Sequence, residues 1–515
     1  MRKAFAYLLL IMIPIGGWSQ SLLDSATVDL SLYTSVASDY QPFWFAANRD
    51  GVIAENQQNL VGAAELYVPY QINKNWRVEA GVQLLMRNSR SNPYAHDTNF
   101  GLIPNQYYGS IAYRGLSLNI GAYTDRHSII NNNLTTGDWG VSRNARPIPK
   151  ISIGFDDYVD VPYTNEWVKV KGAYAHGWME QDRFVPNPSL HEKYLHIKIL
   201  EPWIVNFEFG LTHYALFGGD LDSVDTSVSA GDYWNIVTGS EAPGVASGNF
   251  VPGSHLGTLD LAMNFSLADR NVKVYVQKPW EDSQQIGFQK FFAKYWDNQD
   301  NLIGLHITNP VKKKWLQHLV IEYMHSKLQT GPGLSDVPGG GNPSELDPDG
   351  TIYNQGYPYF QRENYYNNWF YGSGWTHYGR TVGTPLFLTS PRMRDIYDDV
   401  EFGLDYERTF IFNNRVEGLH VGASGQISDK LNYEARFTYT RNFGNYYSQY
   451  GRFWERLGED FHFEEGRTHY YLMTTVNYQI DSRLNTQVSL GYDFGDQNST
   501  FGLMGRLTYR IKGAN

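Results

Sequence analysis

The sequence predicts an all-β chain, a transmembrane antiparallel β-barrel of roughly 18 strands. Three observations carry that expectation. Polar and apolar residues alternate in segment after segment, tight turns alternate with long loops, and beyond the first residues no apolar run approaches the ~20 residues of a membrane helix. The alternation is cleanest in the last third. Leu431, Tyr433, Ala435, Phe437 and Tyr439 interleave with Asn432, Glu434, Arg436, Thr438 and Thr440. Leu484, Val488, Leu490, Tyr492 and Phe494 interleave with Asn485, Gln487, Ser489, Gly491 and Asp493. Phe501, Leu503, Leu507, Tyr509 and Ile511 do so with Gly502, Arg506, Thr508 and Arg510. Successive strand side chains point to opposite faces, so each segment has one apolar and one strongly polar face. Charges such as Glu434, Arg436 and Arg506 need water on their side. Such a sheet is half of a sandwich or the wall of a membrane barrel.

From the N-terminus, residues 1–19 read as a signal peptide. Arg2 and Lys3 supply the positive start, Ala4–Ile15 the apolar run, and Gly16-Gly17-Trp18-Ser19 the small-residue cleavage region before Gln20. Residues 20–58 are either a first strand, because 26–38 alternates roughly, or a plug on the periplasmic side. The barrel is expected over 59–515. Its strands are expected at 59–72, 76–87, 106–113, 116–124, 149–155, 167–178, 193–199, 203–216, 256–267, 272–278, 302–308 and 315–325. Further ones follow at 377–388, 395–412, 416–427, 431–441, 470–480, 484–494 and 501–511. That set is odd in number, whereas bacterial barrels usually carry an even one with both termini in the periplasm. Either 26–38 supplies a first strand or one segment is not a strand.

The connections separate barrel from sandwich. Asn73-Lys74-Asn75, Arg114-Gly115, Ala268-Asp269-Arg270, Ser428-Asp429-Lys430 and Asp481-Ser482-Arg483 are tight. Asn88–Asn105, Asp125–Ile148, Gly218–His255, Glu281–Asn301, Ser326–Thr376 and Asn442–His469 are long and rich in Gly, Pro, Asn, Asp, Tyr and Trp. Short turns at one rim and long loops at the other is the arrangement of outer-membrane barrels, here the Gram-negative outer membrane reached through a cleaved leader. Gly331–Gly350, with Gly339-Gly340-Gly341 and several prolines, and to a lesser degree Ser223–Ser254, are expected to lack fixed structure.

Composition narrows the function. Aromatic residues reach 15% of the 515, with Tyr 38 and Trp 14, which suits aromatic girdles and equally suits a glycan-binding protein. The absence of cysteine excludes disulfides, thiolate metal sites and cysteine-linked lipid. The net charge of −11, from 42 basic and 53 acidic residues, argues against a nucleic-acid partner.

Enzyme and cofactor motifs are scarce, and no cofactor or metal is expected. Gly422-Ala423-Ser424-Gly425 lies inside a strand pattern, and His191-Glu192 lacks the second histidine of a zincin helix. Asp347, Asp349 and Gly350 resemble part of a calcium loop without its bidentate glutamate, and Lys312-Lys313-Lys314 reads as a solvated turn near lipid headgroups. Three polar–aromatic clusters stand out. The densest runs from Tyr365 through Trp369 and Tyr371 to Trp375, His377 and Arg380. Trp139, Arg143, Asn144 and Arg146 make the second; Gln277, Trp280, Glu281 and Asp282 make the third. Aromatic faces stack on the apolar faces of sugar rings, while Asn, Arg, His and carboxylates bond hydroxyls and charged groups. The same residues would serve equally as a girdle or as an internal network bracing the lumen.

These clusters are also where the chain resembles a known family, the capsule assembly Wzi family of outer-membrane proteins. The resemblance rests on Gly137–Pro149, Trp178–Lys198, Phe209–Gly219, Val276–Asp282 and Tyr365–Phe387, five stretches in order. It implies a barrel of roughly 18 strands whose extracellular loops fold over or into the lumen. It further implies a surface lectin that helps to hold capsular or extracellular polysaccharide on the cell. The partners expected are that polysaccharide, outer-membrane lipid and polysaccharide export machinery. Two departures are visible. Ser21–Gln58 shows no helical period for the periplasmic helical segment that family members can carry, and Ile511 is followed by Lys-Gly-Ala-Asn where barrels often end on an aromatic residue. A porin or sugar channel, and a barrel hydrolase or acyltransferase, are the alternative functions.

Overall fold

The structure, a computed structural model, describes residues 25–88, 101–125, 128–130, 133–220, 228–240, 253–267, 270–281, 300–309, 315–327, 329, 364–368, 370–397, 411–445 and 465–512. The leader expected over 1–19, the Lys312–Lys314 turn, Gly331–Gly350 and the Asp347–Gly350 fragment lie outside them. The alternating segments form one closed 18-stranded antiparallel sheet. Its strands are β1 (Thr27–Ala37), β2 (Gln58–Gln71), β3 (Trp76–Arg87), β4 (Gly101–Tyr113), β5 (Leu116–Ala122), β6 (Pro149–Asp160), β7 (Val168–Trp178), β8 (Ser189–Ile199) and β9 (Val205–Phe217). They continue as β10 (Ser254–Ser266), β11 (Asn271–Trp280), β12 (Asn301–Thr308), β13 (His318–His325), β14 (Val416–Ser428), β15 (Leu431–Asn442), β16 (Arg467–Gln479), β17 (Leu484–Gly495) and β18 (Thr500–Lys512). Each strand pairs with the next, and β1 pairs with β18 in register from Asp29↔Arg510 to Ala37↔Gly502, which shuts the cylinder.

Which face is which follows from burial. Leu30, Leu32 and Val36 on β1, Val488, Leu490 and Tyr492 on β17, and Phe501, Leu503 and Leu507 on β18 are exposed. Their neighbours Ser31, Ser35, Ser489 and Asp493 are buried inside. An oily exterior around a polar interior inverts a soluble protein and is the arrangement of a membrane barrel. Exposed Trp76 packs on Tyr113 at a centroid distance of 4.7 Å and Trp167 on Trp203 at 5.3 Å, an aromatic belt at the short-turn rim.

Two segments expected in the wall are not there. Residues 377–388 instead begin with a small hairpin, Thr376–His377 against Arg380–Thr381, turned by Tyr378 and Gly379 at φ 49° and 75°. Positive φ at both central residues is the two-residue hairpin geometry, and glycine takes it without strain. Of 395–412, Ser390–Ile396 is helical and enters the segment from its start, Ile411–Asn413 pairs with Leu388–Thr389, and 398–410 fall outside the described residues. Residues 377–388 and the described ends of 395–412 lie within the bore, where the chain meets protein on all sides and alternation loses its meaning. With these two removed and Thr27–Ala37 added, the wall has its 18 strands.

The hydrophobic core therefore sits inside the cylinder, in its long-loop half. Segments 40–54, 129–130, 133–148, 179–188, 364–368 and 370–397 pack there around Phe45, Trp44, Trp139, Tyr365, Tyr366, Leu386 and Phe387. This plug is tied to strands all round the wall. Trp44 Nε1 donates to Thr438 Oγ1 at 3.0 Å on β15, Phe43 N to Asp493 at 2.7 Å on β17, and Thr136 N to Glu322 at 2.6 Å on β13. Trp139 N donates to Gln277 Oε1 at 3.2 Å on β11, and Arg87 Nη1 of β3 donates to Gly51 O at 2.7 Å. Buried polar groups on a barrel's inner face need partners, and plug backbone supplies them.

Candidate functional site

The three sequence clusters converge in this plug. Asp138 lies at their junction: its carboxylate accepts from Gly140 N at 2.7 Å and from Gln277 Nε2 at 2.6 Å, the latter from the third cluster. Trp139, fully buried, receives at its carbonyl the hydroxyl of Tyr366, and that same hydroxyl accepts from Thr384 N at 2.9 Å. Glu281 accepts from Tyr366 N at 2.9 Å. Trp375 Nε1 donates to Gly140 O at 2.7 Å, and Asn144 Nδ2 donates to Thr381 at 3.1 Å to its carbonyl and 2.8 Å to its hydroxyl. Tyr371 is buried and its hydroxyl donates to Gly218 O at 3.2 Å. Trp369 and Asp282 lie outside the described residues.

The arginines divide by direction. Arg380 is buried and donates to Ala46 O at 2.7 Å and to Ile53 O, stitching the hairpin to the β1–β2 loop. Arg146 stacks its guanidinium 3.9 Å from the Tyr378 ring centroid and donates to Pro104 O at 3.0 Å. Arg143 keeps 42% of its side chain exposed while pairing with Asp50 and donating to Asn133 Oδ1 at 2.6 Å.

Sequence reasoning missed the strongest tether. Glu180, in the β7–β8 loop, accepts from His377 Nδ1 at 2.6 Å and from Tyr378 N at 2.9 Å, with Arg183 Nη1 at 3.5 Å. Arg183 in turn donates to Thr376 O and Gly374 O, both at 2.9 Å. Burial works to raise the Glu180 carboxyl, but Arg183 and His377 overcome it and hold it down at about 2. Burial pushes the His377 imidazole down, and Glu180 pulls against it. The Met179–Pro188 stretch held the signal: two acids and an arginine just ahead of Pro186 and Pro188, inside a stretch that already resembled a family. Among the described residues His377 Nε2 has no hydrogen-bond partner, so none of them supplies this acid–histidine pair with the hydroxyl that a nucleophilic relay requires. Among the described residues no group of three or more His, Cys, Asp or Glu could hold a metal ion.

Two clefts remain. One, of about 330 Å³, is lined by Glu55, Asn144, Arg380, Thr381, Thr389 and Arg392, beside the exposed residues Asn56–Gln58 of the long-loop rim. Burial pushes Arg380 down and Glu55 pulls against it. Arg392 ends above its ordinary value because Glu55, Asp493 and Asp395 outweigh burial. The other cleft, of about 480 Å³, is lined by Asn48, Ser128, Asn133, Thr135, Asp138 and Arg143. Burial works to lower the Arg143 guanidinium, but Asp50, with Glu434 and Tyr33 behind it, holds it above its ordinary value. Both clefts offer paired donors and acceptors of the kind that meets sugar hydroxyls.

Comparison with known proteins bears on the plug directly. Residues 132–335, which include Asp138 and the Glu180 tether, match a family model. The match is to capsule assembly protein Wzi. In the same fold is the solved structure of Wzi from Escherichia coli, an outer membrane protein involved in group 1 capsule assembly and a carbohydrate-binding β-barrel. It aligns at 13% identity and TM-score 0.57 over 96% of this chain and 86% of that one. OpdK of Pseudomonas aeruginosa aligns at 10% identity and TM-score 0.43, over 94% and 98% of the two chains. No curated protein matches the sequence. The Wzi match and the closed cylinder agree with the fold expected from the alternation.

Proposed function

We propose that this protein is a non-enzymatic barrel of the Gram-negative outer membrane that binds capsular or extracellular polysaccharide at the cell surface and assists its attachment or assembly. The observation that carries the reading is the plug itself. It is a polar–aromatic assembly under the long-loop rim, carrying a cleft edged by Glu55, Asn144, Arg380 and Arg392, in a chain whose 132–335 region matches the Wzi family model. In this reading Asn144 and Arg380 meet the polymer at the cleft. Arg146 answers its charge, and Trp139, Tyr371, Trp375, His377 and Glu281 give the surface its shape, with Arg143, Trp369 and Asp282 candidates by residue type. Many weak contacts along a repeating polymer give avidity without a deep pocket. Outer-membrane lipid surrounds the apolar wall, a cleaved leader delivers the chain, and export machinery docks at the short turns.

The channel alternative has less support, because loops tied to inward side chains around the wall fill the bore. The hydrolase alternative has less support, because among the described residues no hydroxyl partners His377 Nε2. The test is a deletion strain in which cell-bound and shed polysaccharide are compared. Deletion should move polymer into the medium, the wild-type gene should restore it, and an Asn144→Ala, Thr389→Ala variant should restore it only partly. An unchanged partition after deletion would end the reading.

A further inference from the structure

Below the plug the bore changes character. Inward positions in the short-turn half are half-buried or exposed, among them Glu65 on β2, Asn432 and Glu434 on β15, and Gln487 on β17. At the top of this vestibule, against the underside of the plug, four guanidinium groups arrive from four separate segments. Arg49 comes from the β1–β2 loop, Arg143 from the β5–β6 loop, Arg436 from β15 and Arg506 from β18.

They share a floor of aromatic and sulfur groups rather than carboxylates. Arg436 lies 4.8 Å from the Trp44 ring centroid, and Arg49 Nε donates to the Trp44 carbonyl at 3.3 Å. Arg49 Nη2 reaches the sulfur of Met473 at 3.5 Å, and Met473 is the cross-strand partner of Arg436. Arg506 lies 4.8 Å from the Tyr33 ring centroid and donates to Ser31 Oγ at 3.3 Å. Against these four cations stand Asp50, taken by Arg143, and Glu434, which holds Arg436 Nη2 at 2.7 Å. Glu65, the next carboxylate out, accepts from Gln83.

Two further facts point to an oxyanion as the ligand. Arg436 has 5% of its side chain exposed, yet among the described residues its Nε and Nη1 have no hydrogen-bond partner, and neither does Arg506 Nε. A buried guanidinium with idle donors costs free energy that an oxyanion would recover. Burial, and then the charges of Arg436 and Arg506, push the Arg49 guanidinium down to about 10, against the pull of Glu434 and Tyr33. Like charges are crowded here without full compensation. The cleft beside Arg143 adds Asn48, Asn133 and Thr135, neutral groups suited to hydroxyls next to a charge.

We propose that this vestibule is a second binding site, open toward the short-turn mouth, in which Arg49, Arg436 and Arg506 hold the carboxylate of an acidic saccharide while Asn48 and Asn133 meet its hydroxyls. The ligand class is a uronic-acid-bearing oligosaccharide or polymer end. Only its identity as a saccharide rests on the polysaccharide reading above; the requirement for an oxyanion does not. Planar guanidinium forks match carboxylates in a bidentate manner, and the Trp44 and Tyr33 rings beneath them keep the forks oriented.

The experiment is calorimetric titration of the whole detergent-solubilised protein at low salt with trigalacturonate, neutral maltotriose and inorganic phosphate. Trigalacturonate should bind and maltotriose should not. Arg436→Gln, Arg506→Gln should weaken trigalacturonate about tenfold or more, and the Lys/Lys pair should recover part of the loss. Heat-modifiable gel migration reports whether each barrel is folded. The Gln/Gln variant should melt no lower than wild type without ligand, because it removes crowded like charges; a purely structural role for these arginines predicts a lower melting point. Absence of both trigalacturonate and phosphate binding, or equal trigalacturonate binding by folded Gln/Gln protein, overturns the site. Phosphate binding without trigalacturonate binding overturns the saccharide assignment. If the deletion strain sheds polymer while trigalacturonate fails to bind, this inference falls and the surface role stands.

Discussion

In the long-loop half of the bore, inward side chains such as Thr438, Glu322 and Gln277 are buried against the plug, whereas in the short-turn half Glu65, Asn432 and Gln487 face open space. Both halves are built from one alternation and one set of strands. What separates them is the partner that satisfies the polar face. Above, it is backbone folded in from the loops; below, it is solvent. A polar inner face therefore specifies only that something hydrogen-bonding must fill the cylinder, and loop length decides whether that filler is protein.

The comparison can be broken most forcefully at Trp139. Its indole is wholly enclosed, packing edge-on against Tyr365 and Phe387 at centroid distances of 5.4 and 5.5 Å. Trp139→Ala should cost the plug about 3–5 kcal/mol. Amide exchange over 134–146 should quicken and planar-bilayer current should rise, with the wall intact. A silent membrane and unchanged exchange would deny that the plug is one packed body. Next in size, Leu490→Arg on the outer face should cost about 2–4 kcal/mol of barrel stability in lipid, read by urea unfolding in vesicles. A neutral effect would mean that this face does not meet hydrocarbon.

Acid should sharpen the contrast further. The Glu180 carboxyl is depressed, so its stabilisation is complete above the ordinary carboxylate value of 4.5 and is lost as pH falls toward about 2. His377, held low by burial, resists protonation below 6.5, and that penalty has the same sign. Tryptophan emission from the plug should shift to the red on acidification, and Glu180→Gln should flatten the lower step. Smallest of all, Gln487→Ala in the vestibule should change stability within about 0.5 kcal/mol. A larger loss would show that the lower half is as tightly packed as the upper.

Much of the wall was legible because a membrane barrel forces period-two patterning onto every strand, and because turns such as Arg114-Gly115 carry their own signal: φ of 51° and 92°. The plug was legible in content but not in position. Trp139, Asn144, Trp375 and Arg380 stand out by residue type, yet nothing in their spacing says that they interlock, since their partners lie as far as 334 positions away, as in Arg380 with Ala46. Residues 377–388 mimicked a strand because an enclosed hairpin alternates too. Glu180 and Arg183 were passed over because a loop acid and arginine look the same in water as in a sealed tether.

The seam between β1 and β18 carries one more consequence. Ser31 meets Thr508 at 2.9 Å and Asp29 meets Arg510 at 2.8 Å, joining the first strand to the last across nearly the full length of the polypeptide. Until the final strand is delivered, the growing sheet has two raw borders with unpaired amides and carbonyls, ready templates for a neighbouring chain. Biogenesis must shelter those borders until both ends arrive, so a truncation that removes only Thr500–Lys512 would forfeit the whole cylinder rather than one-eighteenth of it.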